Sequence, residues 1–231
     1  MIEGSPRRLG WHIGWTLAGF VPYLAISAVQ LVTKFSNDTS LDRVTKALEM
    51  PTLAFGAGVA LLLAHRRPRR LISVLLFAGL ALSWLGDISL DHLTIGLGLF
   101  FAAHAAYITM FELAFRGRRR SRWGLLALPW FICLLVLLAP HLAGMLPLVA
   151  LYGAILGAMA VSASRGNSVT TVGGLLFVAS DSFLAFRLFT PLFHDDLSEF
   201  LIMLAYLAAQ GFIAVGILRT TDQAERVSRS S

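Results

Sequence analysis

Cysteine is almost missing: Cys133 stands alone, so no intrachain disulfide can form. Charge is scarce too, at 14% of the 231 residues, where a soluble domain carries about 25%. The chain holds no HExxH helix or paired-cysteine zinc site, no GxSxG elbow and no GxxxxGK[ST] loop. These gaps leave no recognisable zinc hydrolase, serine hydrolase or nucleotide-phosphate signature. No apolar/polar alternation of the strand type competes with the long apolar runs.

What is present is hydrophobicity, 57% of residues, with a mean hydropathy of +0.74. That composition reads as a polytopic membrane protein, all-α, with room for little beyond its spans at about 20 residues each. Eight apolar runs are legible, near 13–33, 45–64, 71–90, 93–115, 123–140, 144–163, 169–189 and 198–218. The first is longer than a signal-peptide core and lacks a convincing cleavage site, so it is expected to stay as a helix. The chain is thus expected to be one transmembrane domain over 1–231, with short tails at 1–12 and 219–231.

The net charge of +6 sits in short loops, "HRRPRR", "RGRRRSR" and "SRGNS", and in the C-terminal tail. Arginines in alternate loops orient membrane helices, so both termini are expected to be cytoplasmic and no nucleic-acid partner is expected. The stretch from Lys34 to Lys46 is read as an outer loop of balanced charge. "GDISL" in the third span and "SDSFL" in the seventh are similar, which raises a parallel 4+4 pseudo-repeat.

Asp87 and Asp181 stand out because an ionised Asp inside a membrane helix costs about 2.5 to 3.5 kcal/mol even on the mild insertion scale. By helical rise, Tyr152 and Tyr206 share their outer half-layer, His104 and Gln210 reach the middle, and Lys46 begins the second span. Each has a plain reading as well. Tyrosines line membrane interfaces, His104 can bond a neighbouring helix, and Lys46 can snorkel. Asp91 and His92 read as a solvated loop, and Glu112, close to Arg116, as a rim ion pair. For the two aspartates the structural reading is an ion pair with Lys46 or a hydrogen bond with Gln210.

Carboxyls removed from water are harder to ionise, and two close together lose their protons in separate steps. Such a pair holds an acid and a base at once, which suits cleavage through an oxocarbenium-like cation. A proton-linked transporter or a lipid-binding bundle would also use intramembrane acids.

Six segments in order carry a family resemblance: "TKALEMPTLAF", "LGDISL", "FFAAHAAYITMF", "YGAILGAM", "GGLLFVASDSFLAF" and "AYLAAQGFIAVG". Together they resemble the YhhN family, which includes the lysoplasmalogenases. The resemblance implies an ether hydrolase of the bacterial cytoplasmic membrane. Its substrate would be a lysophospholipid drawn from membrane lipid, a lysoplasmalogen whose vinyl ether bond is cleaved to a fatty aldehyde and glycerophosphoethanolamine or glycerophosphocholine. It further implies Asp87 and Asp181 as the acid-base pair, surrounded by Lys46, His104, Tyr107, Tyr152, Ser180, Tyr206 and Gln210. No cofactor and no metal is expected, since His104 with two aspartates from separate helices makes a weak metal set. Where the family often has proline after the span-two lysine, this chain has Ala47.

Overall fold

The computed structural model describes residues 18–36, 38–64, 68–119, 124 and 126–229, with side chains through residue 220. Residues 13–17 of the first expected span lie outside these. The described residues are helical, without strands. The helices are α1 (Val21–Thr33), α2 (Thr39–Leu63), α3 (Arg70–Ile88), α4 (Leu93–Ala114), α5 (Ala127–Leu142), α6 (Leu146–Ala163), α7 (Ser168–Phe189) and α8 (Asp196–Arg229). A 3-10 turn, Ala143–Met145, joins α5 to α6.

Among the described residues six segments are long and apolar enough to cross a membrane, with α5, the turn and α6 running together as one of them. The protein is an integral membrane protein. Its outer faces carry the apolar side chains Leu24, Val32, Phe55, Leu62, Leu128 and Val136, each more than 55% exposed. The interior is the polar place: Gln30, Glu49, Ser83, His104, Thr170 and Gln210 are fully buried. Lipid cannot hydrogen-bond these groups, so they turn inward, away from it.

Packing closes a ring, α2 on α3, α3 on α4, α4 on α6, α6 on α7, α7 on α8 and α8 back on α2. Helix α1 leans on α2 and α8 from outside, and α5 on α6 and α7. At one end of the bundle Arg165 pairs with Glu112 and donates to the Arg118 carbonyl at 3.1 Å, and Asn167 caps α7 through the Thr170 amide at 2.9 Å. At the other end Arg187 pairs with Glu199. There Asp195 caps the start of α8, and hydrogen bonds from Ser198 hold its carboxyl below the usual range.

The expected loop from Lys34 to Lys46 is a correction. Asp38 caps α2 through the amides of Ser40 and Leu41, and the helix is already running at Thr39. Asp42 is neutralised by Lys34 at 2.5 Å and held by Gln30 and Thr33, so the charges that suggested a loop belong to a helix–helix contact. Lys46 therefore lies two turns inside α2 rather than at its rim. At the C-terminal end, the expected tail from residue 219 continues α8 to Arg229.

Pro51 inside α2 has no N–H to give the Ala47 carbonyl. The indole of Trp84 takes that carbonyl at 2.9 Å and locks α2 against α3 beside Asp87. On the other side of α3, a Cβ at Gly79 would overlap the Tyr107 ring, so only glycine lets α4 come this close.

Candidate active site

Asp87 lies about 26 Å along α3 from Arg70, and Asp181 about 20 Å along α7 from Ser168, at ~1.5 Å per residue. Both are buried, 8% and 9% exposed. Each carboxyl meets one tyrosine from a different helix. Tyr206 of α8 donates to Asp87 Oδ2 at 2.6 Å, and Tyr152 of α6 donates to Asp181 Oδ2 at 2.5 Å. Among the described residues neither Oδ1 takes a hydrogen bond. Each aspartate is thus fixed through one oxygen and available through the other.

The Asp87 side continues inward. Gln210 Nε2 reaches the Tyr206 hydroxyl at 3.4 Å, and Gln210 Oε1 accepts from Tyr107 at 2.7 Å. The chain Asp87–Tyr206–Gln210–Tyr107 thus crosses three helices. On the Asp181 side stands His104, fully buried. Its Nδ1 is 2.6 Å from the Phe100 carbonyl, which can only accept, so Nδ1 carries the proton. Nε2 is left without a partner, 4.0 Å from Asp181 Oδ2. That is too long for a direct bond and short enough for charge on one to act on the other.

Phe177, one turn before Asp181 on α7, separates the two halves. Its ring meets those of His104, Tyr206 and Tyr107 edge-on at 4.8, 5.6 and 6.5 Å.

An apolar pocket between α4, α5, α6 and α7 opens onto one carboxyl only. Leu97, Phe100, Leu135, Leu138, Leu184 and Leu188 form its walls, and Tyr152 and Asp181 are its polar groups. Asp87 does not line it. Its outer wall is α5, clamped to α7 by a Trp130 to Ser182 hydrogen bond of 3.1 Å.

The expected residues divide accordingly. Tyr206, Gln210 and Tyr107 gather on Asp87; Tyr152 and His104 gather on Asp181. The interface-belt reading of the two tyrosines gives way, because both hydroxyls are committed to buried acids. Lys46 is half-buried and forms no ion pair within 4.0 Å among the described residues. Ser180 turns away from the acids and donates to the Ile202 carbonyl at 3.0 Å, joining α7 to α8. Glu112 is an end-of-bundle ion pair, with Arg165, and also accepts from Ser162. Asp91 and His92 are exposed. Among the described residues no three His, Cys, Asp or Glu side chains converge as metal ligands.

Sequence reasoning missed Glu49, a third fully buried acid, and Phe177. Glu49 was legible as an acid inside the apolar run "ALEMPTLAF" once α2 is started at Thr39. Phe177 carried a weaker signal, its four-residue spacing from Asp181 on one helical face.

The model of the YhhN family matches residues 41–217. No curated protein and no solved structure matches the chain.

Proposed function

The chain belongs to the YhhN family, and from that premise we propose that it is a lysoplasmalogenase-like ether hydrolase. It cleaves the vinyl ether bond of lysoplasmalogens, giving a fatty aldehyde and glycerophosphoethanolamine or glycerophosphocholine. The observation that carries this reading is the pair of buried aspartates, each fixed by one tyrosine, with only Asp181 bordering an apolar pocket.

The alkenyl chain lies in that pocket, so Asp181 is the acid. It gives its proton to the β-carbon as the C=C electrons form the new C–H bond, leaving an oxocarbenium ion. Asp87, as carboxylate, stabilises the cation and takes a proton from the water that adds to it. In the resulting hemiacetal, Asp181 recovers a proton from the hydroxyl while Asp87 returns one to the departing glycerol oxygen. Both acids end as they began, and one water is consumed. Tyr152 and Tyr206 hold the carboxyls in place, and His104 borders Asp181 where its charge changes.

The architecture that goes with this activity has eight crossings of a bacterial cytoplasmic membrane and both termini in the cytoplasm. It also carries a 4+4 repeat that pairs α3 with α7. The order of packing supports the repeat, because a shift of four helices maps the ring onto itself. "FFAAH" of α4 and "YLAAQ" of α8 share the same small-residue frame.

The decisive experiment incubates detergent-purified protein with a panel of lysolipids and identifies products by mass spectrometry. Aldehyde from the vinyl ether lipid alone is the expected result. Gradient-dependent flux in vesicles without any cleavage would instead make the protein a transporter.

A further inference from the structure

Hydrolysis consumes water, yet the pocket at Asp181 is lined almost wholly by hydrocarbon. Beside Asp181 the unpartnered polar atom is His104 Nε2, and others lie on α1, α2 and α3. Both carboxyl oxygens of Glu49 are buried and make no hydrogen bond, and among the described residues the partner within reach of the buried Ser83 hydroxyl is that of Tyr107, itself committed to Gln210. Ser83 precedes Asp87 by one turn on the same buried face of α3, beside the Tyr107 hydroxyl. Glu49 follows Ala47, whose carbonyl is bound by Trp84, the residue next to Ser83, so the α2–α3 lock holds these two stretches of helix against each other. Lys46 precedes Glu49 by one turn on α2, and Asp87 follows Ser83 by one turn on α3.

We propose that Glu49 and Ser83 form a water-binding recess beside Asp87, which supplies the water that adds to the oxocarbenium ion. Buried polar groups left without protein partners are ordinarily satisfied by water, which makes about three hydrogen bonds at such sites. A serine hydroxyl can donate and accept, and water can answer either role while also donating to the Glu49 carboxyl. A metal cation is a poorer match, because Lys46, three residues before Glu49 on the same helix, already brings a positive charge to this turn. Apolar and aqueous reactants thus approach from opposite sides, each through its own aspartate.

This inference rests on the vinyl ether reading, so the test has one arm that is independent of activity. In X-ray hydroxyl-radical footprinting of the full chain in detergent, a buried side chain is labelled only where water is bound next to it. Glu49 is expected to be labelled despite its burial, and an unlabelled Glu49 would mean a dry recess and overturn the proposal. The second arm runs turnover in water–methanol mixtures, where methanol captures the cation as a mixed acetal and water gives aldehyde. E49L and S83A are expected to shift the product ratio toward acetal by about five-fold, the order of one lost hydrogen bond. L62A, on a lipid-facing side chain, keeps the wild-type ratio. S83A removes a single hydroxyl and E49Q keeps the shape of the side chain, so a misfolded E49L does not stall the test. If the wild type cleaves lysoplasmalogen and both E49L and S83A partition as it does, the recess is refuted while the parent activity stands. If the wild type cleaves nothing, the parent reading and the water-supply role fall together, and the footprint still decides whether the recess holds water.

Discussion

The Tyr206 hydroxyl donates to Asp87 Oδ2 at 2.6 Å, joining α8 to α3 across 119 positions of sequence. A hydrogen bond to an ionised group is worth about 1.5 to 3 kcal/mol. In the cycle proposed above, Asp87 is the carboxylate when the cation forms, so the tyrosine steadies the charged form. Tyr206→Phe should therefore slow turnover by about ten-fold or more while leaving substrate affinity near normal. Tyr152→Phe should behave differently, since Tyr152 also lines the pocket. Its loss should raise KM as well as lower kcat, and steady-state kinetics on both variants check the distinction. Identical KM and kcat effects would undo the assignment of the pocket to Asp181.

Asp87→Asn and Asp181→Asn keep the size of each side chain but remove its ability to exchange a proton. Each is expected to lower kcat by about 10² to 10⁴. Both variants should remain folded in detergent, because the Tyr206 and Tyr152 hydroxyls still find an amide oxygen to donate to. Size-exclusion profiles and thermal unfolding beside the wild type separate lost chemistry from lost folding. A variant with near-normal turnover removes that aspartate from the mechanism.

The acids were legible in the sequence because carboxyls are rare in apolar runs and stand out wherever they occur. Their partners were visible only as individuals. Tyr152 and Asp181 are 29 positions apart, and nothing local says that their helices turn these faces together. The bundle itself was legible from hydropathy, but the start of α2 was not. A helical turn that carries Asp42 looks like a loop until Lys34 on α1 neutralises it, and that pairing exists only after packing. The misjudged start put Lys46 at the rim and hid Glu49, which follows it by three residues on the same helix. The division of the site into an apolar side and a polar side likewise had no sequence signal, because it depends on which wall each aspartate joins.

Orientation in the membrane follows from where the arginines lie. Tags in "HRRPRR" and "RGRRRSR" and a reporter fused to the C-terminus should all report the cytoplasm. A tag beside His194, on the α7–α8 connection, should report the opposite side. Cysteine accessibility in intact cells and inverted vesicles reads all four positions. Should the His194 tag and the arginine-loop tags map to one face, the eight-crossing arrangement would fall.

Carbon protonation leaves a mark that ester hydrolysis does not. If Asp181 delivers a proton to the β-carbon, turnover in D₂O should slow and place one deuterium on the α-carbon of the aldehyde. Mass spectrometry of the released aldehyde reads that label directly. The saturated ether analogue and the matching acyl lysolipid should remain intact, because neither can form the oxocarbenium ion by protonation at carbon. Serine-directed reagents should leave the rate unchanged, since no hydroxyl acts as nucleophile in this cycle. Asp87→Asn should keep whatever deuterium label its residual turnover produces, because Asp87 acts only after the C–H bond has formed. An unlabelled aldehyde, or efficient cleavage of the acyl lysolipid, would mean that the two aspartates serve a different reaction.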